Sequence, residues 1–147
     1  MASSIPASYE LSPSASGSTP YGQVMPSGSR PLIVKLTAGA DAPERCSQGF
    51  TVAATALAAG ADVSVWLTGE SAWFALPGRA EEFTLAEAAP LADLRDSVLA
   101  GGQLTLCTQC AARRSITPED VLPGVRIAGA ATFVAEVLAP EAQALVY

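Results

Sequence analysis

The chain has 147 residues, half of them hydrophobic, which fits one domain with a substantial core. Its formal net charge of −6 argues against a nucleic-acid binder, because that role needs a basic surface to neutralise phosphates. Histidine is absent, which removes the usual general base and every Ser-His or Cys-His catalytic pair and so disfavours hydrolases.

The chain begins with a segment rich in Ser, Pro and Gly, residues 1–30, which we predict to be a disordered tail. This segment lacks the basic and apolar regions of a secretory signal. No apolar run in the chain approaches the roughly 18 to 20 residues that a membrane span requires. We therefore expect a cytoplasmic protein with no membrane contact, whose domain occupies residues 31–147.

The first predicted elements of the domain are a strand and a helix. The strand covers Leu32–Leu36, and the helix start is indicated by Asp41 as an acidic cap, Pro43 in the first turn and Glu44 three residues after the cap. Gly60 marks the helix end. One apolar face of this helix is predicted at spacings of four, three and four residues, by Cys46, Phe50, Ala53 and Leu57.

The middle of the chain continues the alternation of strands and helices. Val63–Leu67 is the second predicted strand, and Ser71–Leu76 is predicted to be a short helix. Residues 79–89 have an ambiguous pattern. A further helix begins at Pro90 and stops at Gly101-Gly102.

The last part of the domain adds further short elements. Gln103–Leu106 is a predicted strand, Thr117–Asp120 a capped turn, Val125–Ala128 a brief strand, Ala130–Leu138 a helix and Gln143–Tyr147 an edge strand. The last helix is predicted to turn four residues inward: Phe133, Val134, Val137 and Leu138. Apolar strands that alternate with helices indicate a parallel sheet covered by helices on its faces.

Two cysteines follow the third strand at helical spacing. Cys107 and Cys110 lie where a strand runs into a helix start, and unpaired backbone N–H groups at that place favour a thiolate. Arg113 and Arg114 follow within two turns and are predicted to add positive charge. Sites in an open parallel sheet form beyond the carboxyl ends of the strands. The pattern therefore predicts a nucleophilic or sulfur-carrying cysteine at that edge.

Other sites are disfavoured by what the sequence lacks. It contains neither the G-x-G-x-x-G pattern of dinucleotide binding nor the G-x-x-x-x-G-K-[ST] pattern of a P-loop. One Cys-x-x-Cys with a remote third cysteine is too few ligands for a tetrahedral zinc site. Cys46 shares the apolar face of the first helix, so we predict that it is a core residue. We expect no cofactor and no metal.

Two stretches of the sequence resemble the DsrE/DsrF-like family. They are LIVKLTAGADAPERCSQGFTVAATALAAGADVSVWLTGE and LCTQCAARRSI, and the resemblance extends over essentially all of residues 31–147. Family members commonly have an Arg-Gly pair after the cysteine segment. This chain has Arg114-Ser115 there, a departure that alters the local turn if serine cannot adopt the glycine conformation.

The resemblance implies a three-layer α/β/α domain with a mainly parallel sheet of about five strands, and assembly into homo-oligomers or hetero-oligomers. It also implies that Cys107 corresponds to the sulfur-accepting cysteine of the TusD-like and DsrE-like members. Cys110 matches a second cysteine that only part of the family has. It is either a resolving thiol, a second carrier or a core residue.

We predict from these features a sulfur-relay protein that carries a persulfide on Cys107, assisted by Cys110 and supported by Arg113 and Arg114. It would pass sulfane sulfur between donor and acceptor proteins, as a carrier more than as a turnover enzyme. Two alternatives stay open. One is a thiol-disulfide redox protein that uses the Cys-x-x-Cys directly, and the other is a non-catalytic oligomeric binding module whose cysteines are incidental.

Overall fold

The computed structural model describes residues 30–147, so the tail predicted over residues 1–30 lies outside the described residues except for Arg30. The observed elements follow the predicted alternation closely. In chain order they are β1 (Pro31–Leu36), α1 (Pro43–Ala58), β2 (Asp62–Leu67), a 3₁₀ helix (Gly69–Ala75), α2 (Leu91–Gly101), β3 (Gln103–Cys107), α3 (Thr108–Arg113), β4 (Arg126–Ala128), α4 (Ala130–Val137) and β5 (Gln143–Val146).

The strands form one five-stranded sheet in the order β4-β3-β2-β1-β5, and every neighbouring pair is parallel. From β1 to β4 the chain moves across the sheet in one direction, and the connection from β4 to β5 crosses back to the opposite edge. Right-handed crossovers therefore place α1 and α2 on one face and α4 on the other. The predicted α/β class with a parallel, helix-covered sheet is confirmed.

The face of the sheet that packs against α1 and α2 holds the hydrophobic core, and we call it the core face. Its strand residues alternate with those of the other face because successive side chains of a strand point to opposite sides. The apolar side of α1 is buried as predicted at Cys46, Phe50 and Ala53. The core-face strand residues, all buried, are Val34, Leu36, Val63, Val65, Leu67, Leu104 and Leu106.

The opposite face carries polar side chains and is covered by α4, so we call it the α4 face. The Glu136 carboxylate of α4 accepts hydrogen bonds from Ser64 Oγ at 2.7 Å and from Trp66 Nε1 at 2.8 Å. Arg126 of β4 forms a salt bridge with Glu136, and its Nε donates to Thr105 Oγ1 at 3.0 Å. This network binds α4 to the sheet mainly through polar contacts.

The inward face predicted for the last helix is wrong in part. Val134 and Leu138 are 47% and 77% exposed, whereas Phe133 stacks edge-on against Trp66 with ring centroids 5.3 Å apart. The reason is that α4 covers a polar sheet face through Phe133 and Glu136. The apolar residues on its outer side therefore have no core to enter.

The loop before α1 differs from the prediction, and residues 79–89, whose pattern was ambiguous, form an ordered loop. Asp41 does not cap α1: Ala42 is at that position without a side-chain cap bond, and the Asp41 carboxylate accepts the Gly39 N–H at 2.7 Å. The ambiguous residues 79–89 form turns that contain Glu81. Arg95, 2% exposed, donates two hydrogen bonds to that carboxylate, which fixes the loop to α2.

Candidate functional site

The carboxyl ends of β3 and β4 lie side by side, and Cys107 is the register partner of Ala128. The connection after β3 enters α3, whose Cys110 and Ala111 pack into the core, while the connection after β4 enters α4 on the opposite face. Two neighbouring strands whose connections leave to opposite faces create the crevice in which open α/β sheets bind ligands. Cys107 lies at the mouth of this crevice.

The Cys107 thiol is half-buried and surrounded by hydrogen-bond donors. Burial acts to raise the pKa of the thiol. Hydrogen bonds from the backbone N–H groups of Cys110 and Gln109, and a further one from the Cys110 side chain, act in the opposite direction. With the positive charge of Lys35 added, the pKa of Cys107 lies below its ordinary value. A lowered pKa increases the fraction of thiolate, which is the nucleophilic form of cysteine.

Cys110 is buried in the first turns of α3, and its side chain lies between two partners. Its Sγ accepts the backbone N–H of Gly69 at 3.3 Å, and Cys110 is close enough to Cys107 to contribute to the lowered pKa of that thiol. Glycine suits position 69 because φ is +52° there, and because a Cβ would lie 2.6 Å from the Thr37 carbonyl oxygen. The two cysteines of the motif are therefore adjacent in space.

Arg113 and Arg114 are placed differently from each other. Arg114 Nη2 lies 2.6 Å from Glu70 Oε1, its Nη1 donates to the Cys110 carbonyl at 3.3 Å, and its guanidinium lies 5.6 Å from the Trp73 ring centroid. Arg114 thus joins α3 to the 3₁₀ helix. Arg113 is exposed in the last turn of α3 and forms no salt bridge with any residue between 30 and 147.

The sequence analysis missed Lys35 as a contributor to the site. Lys35 lies on the α4 face of β1, in register with Trp66 of β2, and its Nζ is 5.0 Å from the Phe133 ring centroid. The available signal was the strand pattern itself, since a lysine inside the apolar run of β1 must point to the face opposite Leu36. Its proximity to Cys107 depends on sheet order, which the local sequence does not specify.

The turn after α3 has Ser115 in a conformation that glycine adopts more readily. Ser115 has φ +53°, a left-handed conformation that favours glycine. The Ser115 N–H donates to the Ala112 carbonyl at 3.2 Å, and the Ile116 N–H donates to the Ala111 carbonyl at 3.0 Å. These two bonds satisfy the carbonyls at the helix end. Serine thus adopts the glycine-like conformation in this turn, at a cost in strain.

Cys46 is separate from this site. It is completely buried in α1, and burial, with a further contribution from Asp41, raises its pKa to about 12. A thiol with that pKa is unreactive at neutral pH, so the prediction of a core residue is confirmed.

Across residues 30–147, no group of three or more Cys, Asp or Glu side chains is arranged to bind a metal ion. Within the same residues, no helix combines the length and apolar character needed to cross a membrane.

Comparisons with known proteins agree with this architecture. The family model described as the DsrE/DsrF-like family matches residues 32–143. Among solved structures, the crystal structure of the YchN protein from E. coli is similar, with a TM-score of 0.67 and 17% sequence identity over 82% of this chain and 100% of that chain. A comparison with curated proteins finds no significant match. The structural similarity at this identity shows a shared fold.

Proposed function

We propose, on the premise that the chain belongs to the DsrE/DsrF-like family, that it is a sulfur-relay protein. Family membership supports a role of this type. The finer proposal is that Cys107 carries a persulfide and passes its sulfane sulfur from a donor protein to an acceptor protein. The protein is then a carrier whose thiol is regenerated in each cycle, and it needs no cofactor.

This proposal rests on two properties that the Cys107 thiol combines, namely its exposure to solvent and its lowered pKa. Its thiol is half-exposed at the edge of the sheet, and its pKa is lowered, against the effect of burial, by hydrogen bonds from Cys110 and Gln109 and by the charge of Lys35. The core thiol Cys46, in contrast, has a pKa of about 12. Of these two, only Cys107 has both the thiolate character and the exposure of a reactive cysteine.

The proposed transfer consists of two thiol-exchange steps. In the first, the Cys107 thiolate attacks the outer sulfur of a donor persulfide, forms a new S–S bond and releases the donor thiolate. In the second, an acceptor thiolate attacks the outer sulfur of the Cys107 persulfide, and the Cys107 thiolate is the leaving group. Electrons balance in both steps because one S–S bond forms as another breaks, so no oxidant is required.

Cys110 is the proposed assistant of Cys107. Its thiol is buried, accepts the Gly69 N–H, and contributes to the lowered pKa of Cys107. This placement suits a residue that stabilises the Cys107 thiolate each time that thiolate is used or released. Direct sulfur carriage by Cys110 is less favoured, since a donor protein cannot reach a thiol that is 6% exposed.

We also propose that the protein forms homo-oligomers. The supporting feature is an apolar surface on α4 and β5, where Val134, Leu138, Leu145 and Val146 are 39% to 77% exposed. Burial of such residues against a second copy removes them from water. Light scattering on the full chain tests the oligomeric state.

The sulfur donor and acceptor are proposed to be proteins. The reduced cysteines of the described residues suit a reducing compartment such as the cytoplasm.

The main test is intact-protein mass spectrometry after anaerobic incubation with a persulfide donor. We expect wild type to gain about 32 Da, the mass of one sulfur, on a reactive thiolate. Cys107→Ser should lose this adduct, whereas Cys110→Ser should retain it. Cys46→Ser is the matched control for the loss of a thiol, and its adduct should equal that of wild type.

Three outcomes would contradict the proposal. No adduct, or an adduct that persists in Cys107→Ser, would favour a non-catalytic binding module. A mass loss of about 2 Da that requires both Cys107 and Cys110 would indicate that the pair forms a disulfide instead of carrying sulfur. That result would favour a thiol-disulfide redox protein.

A further inference from the structure

Lys35 occupies an unusual position for a cation. It lies in β1, in the interior of the five-stranded sheet, with its side chain on the α4 face, which is also the face of Cys107. Sheet register aligns Lys35 with Trp66 of β2 and Trp66 with Thr105 of β3, and Cys107 follows two residues later on the same side. The same-face positions therefore form a diagonal from Lys35 to Cys107 across β2.

This diagonal is short enough for a lysine to act along it. Two strand spacings and two residues of rise separate the Cα atoms by roughly 12 Å, and a lysine side chain extends by about half of that distance. Side chains on strands lean along the strand direction. The Phe133 ring on α4 holds the ammonium group at 5.0 Å from its centroid, which keeps the lysine stem on the sheet surface.

The charge of Lys35 is also uncompensated. No carboxylate within residues 30–147 forms a salt bridge with it. The other cation on this face, Arg126, is paired with Glu136, so those two charges largely cancel. On the opposite side of the site, Arg114 is paired with Glu70. Among the charged groups of residues 30–147 around Cys107, Lys35 is thus a half-buried cation without an anionic partner.

We infer that Lys35 stabilises the thiolate of Cys107, and that it does so again when this thiolate is the leaving group in sulfur transfer. The consequence for transfer rests on the proposed function, because the second transfer step expels the Cys107 thiolate. A cation on the same face of the sheet lowers the free energy of that negative charge without contacting the reacting sulfur atoms. Lys35 therefore acts through its charge, in addition to the effects of Cys110 and Gln109 on the same thiol.

The experiment measures the reactivity of Cys107 alone, without any sulfur donor. The full-length protein is alkylated with iodoacetamide across a pH series, and modification of Cys107 is quantified by peptide mass spectrometry, which separates it from Cys46 and Cys110. A neutral reagent reports the thiolate fraction and is not itself attracted to Lys35. The variants are Lys35→Met and Lys35→Gln, which remove the charge, and Lys35→Arg, which keeps it. Arg45→Met is the control for loss of an exposed cation on α1, which packs on the opposite face of the sheet.

We expect the midpoint of the pH profile to rise by about 0.5 unit in Lys35→Met, the effect of one partly screened charge at this distance. Below the midpoint, this shift corresponds to an alkylation rate about threefold lower. Lys35→Arg and Arg45→Met should follow the wild-type profile. At about 1 M salt the difference between wild type and Lys35→Met should shrink, because the screening length falls to about 3 Å.

A Lys35→Met profile that superimposes on wild type would overturn the inference. An equal shift in Arg45→Met would also overturn it, since the effect would then be one of overall charge. Near-ultraviolet circular dichroism shows whether each variant is folded, and Lys35→Gln, for which the same shift is expected, is the test if Lys35→Met is not folded. Because no sulfur donor is used, failure of the persulfide experiment and failure of this one are separate results.

Discussion

Replacement of Ser115 by glycine should stabilise the protein. Ser115 closes α3 with φ +53°, and its side chain is exposed. A residue with a Cβ pays about 1 to 2 kcal/mol for the left-handed conformation. Glycine avoids this strain but loses about 0.5 to 1 kcal/mol more backbone entropy on folding. The difference predicts that Ser115→Gly raises the free energy of unfolding by about 0.5 to 1 kcal/mol.

Urea denaturation followed by circular dichroism measures this change. With a slope of about 1 to 2 kcal/mol per M, the denaturation midpoint should rise by about 0.5 M at an unchanged slope. The hydrogen bonds of the turn come from backbone N–H groups of residue 115 and Ile116, so they remain in the variant. Alkylation of Cys107 should therefore proceed at the wild-type rate.

Ser115→Ala separates the conformational effect from the loss of the hydroxyl. Alanine keeps the Cβ, so this variant should gain no stability over wild type. The reasoning fails if Ser115→Gly is equal to or less stable than wild type, or if Ser115→Ala gains as much as the glycine variant. In the first case the strain at this turn is absent, and in the second the hydroxyl is the source of the effect.

Two further predictions concern stability. Glu81→Gln should cost about 1 to 2 kcal/mol near neutral pH, less than the loss of a fully buried pair because Glu81 is half-exposed. Hydrogen bonds from Arg95 lower the pKa of Glu81 from 4.5 to about 2. The greater stability of wild type is therefore present above pH 4.5 and is lost as the pH falls towards 2. If urea titrations show that this difference in stability persists at pH 2, the prediction is contradicted. Gly69→Ala should destabilise more than Gly60→Ala by at least about 1 kcal/mol, because both glycines have positive φ but only Gly69 faces a close backbone oxygen, that of Thr37. Equal losses in thermal unfolding would show that the loop relaxes around the added methyl group.

The strands and most helices could be predicted because their signals are local. The apolar run of β1, the proline at the start of α1 and Gly60 after its end fix those elements from neighbouring residues alone. The motif Cys107-x-x-Cys110 was likewise placed correctly between a strand and a helix. Each of these inferences depends on residues close in the sequence, for which spacing and capping chemistry are sufficient.

The parts of the site that escaped prediction depend on distant residues. Arg114 pairs with Glu70, 44 residues earlier, and this salt bridge directs it towards the 3₁₀ helix. Lys35 and Cys107 share a face because of the register of β1 on β2 and of β2 on β3. Leu138 was predicted to be buried because helical periodicity identifies an apolar side without showing whether an apolar surface faces it. Contacts of this kind, between residues far apart in the sequence, cannot be derived from local sequence patterns.

The position of β5 has a consequence for how the chain folds. Neighbours among β1 to β4 follow one another in the sequence, whereas β5 pairs with β1, and the Thr37 hydroxyl donates to the Tyr147 carbonyl 110 residues away. All four residues of β5 are exposed, so its docking buries little apolar surface to offset the entropy of closing that loop. Folding can thus build the four-stranded unit first and add β5 as a late step. In native-state hydrogen exchange, we expect the amide protons of β5 to be less protected than those of the interior strands β1, β2 and β3.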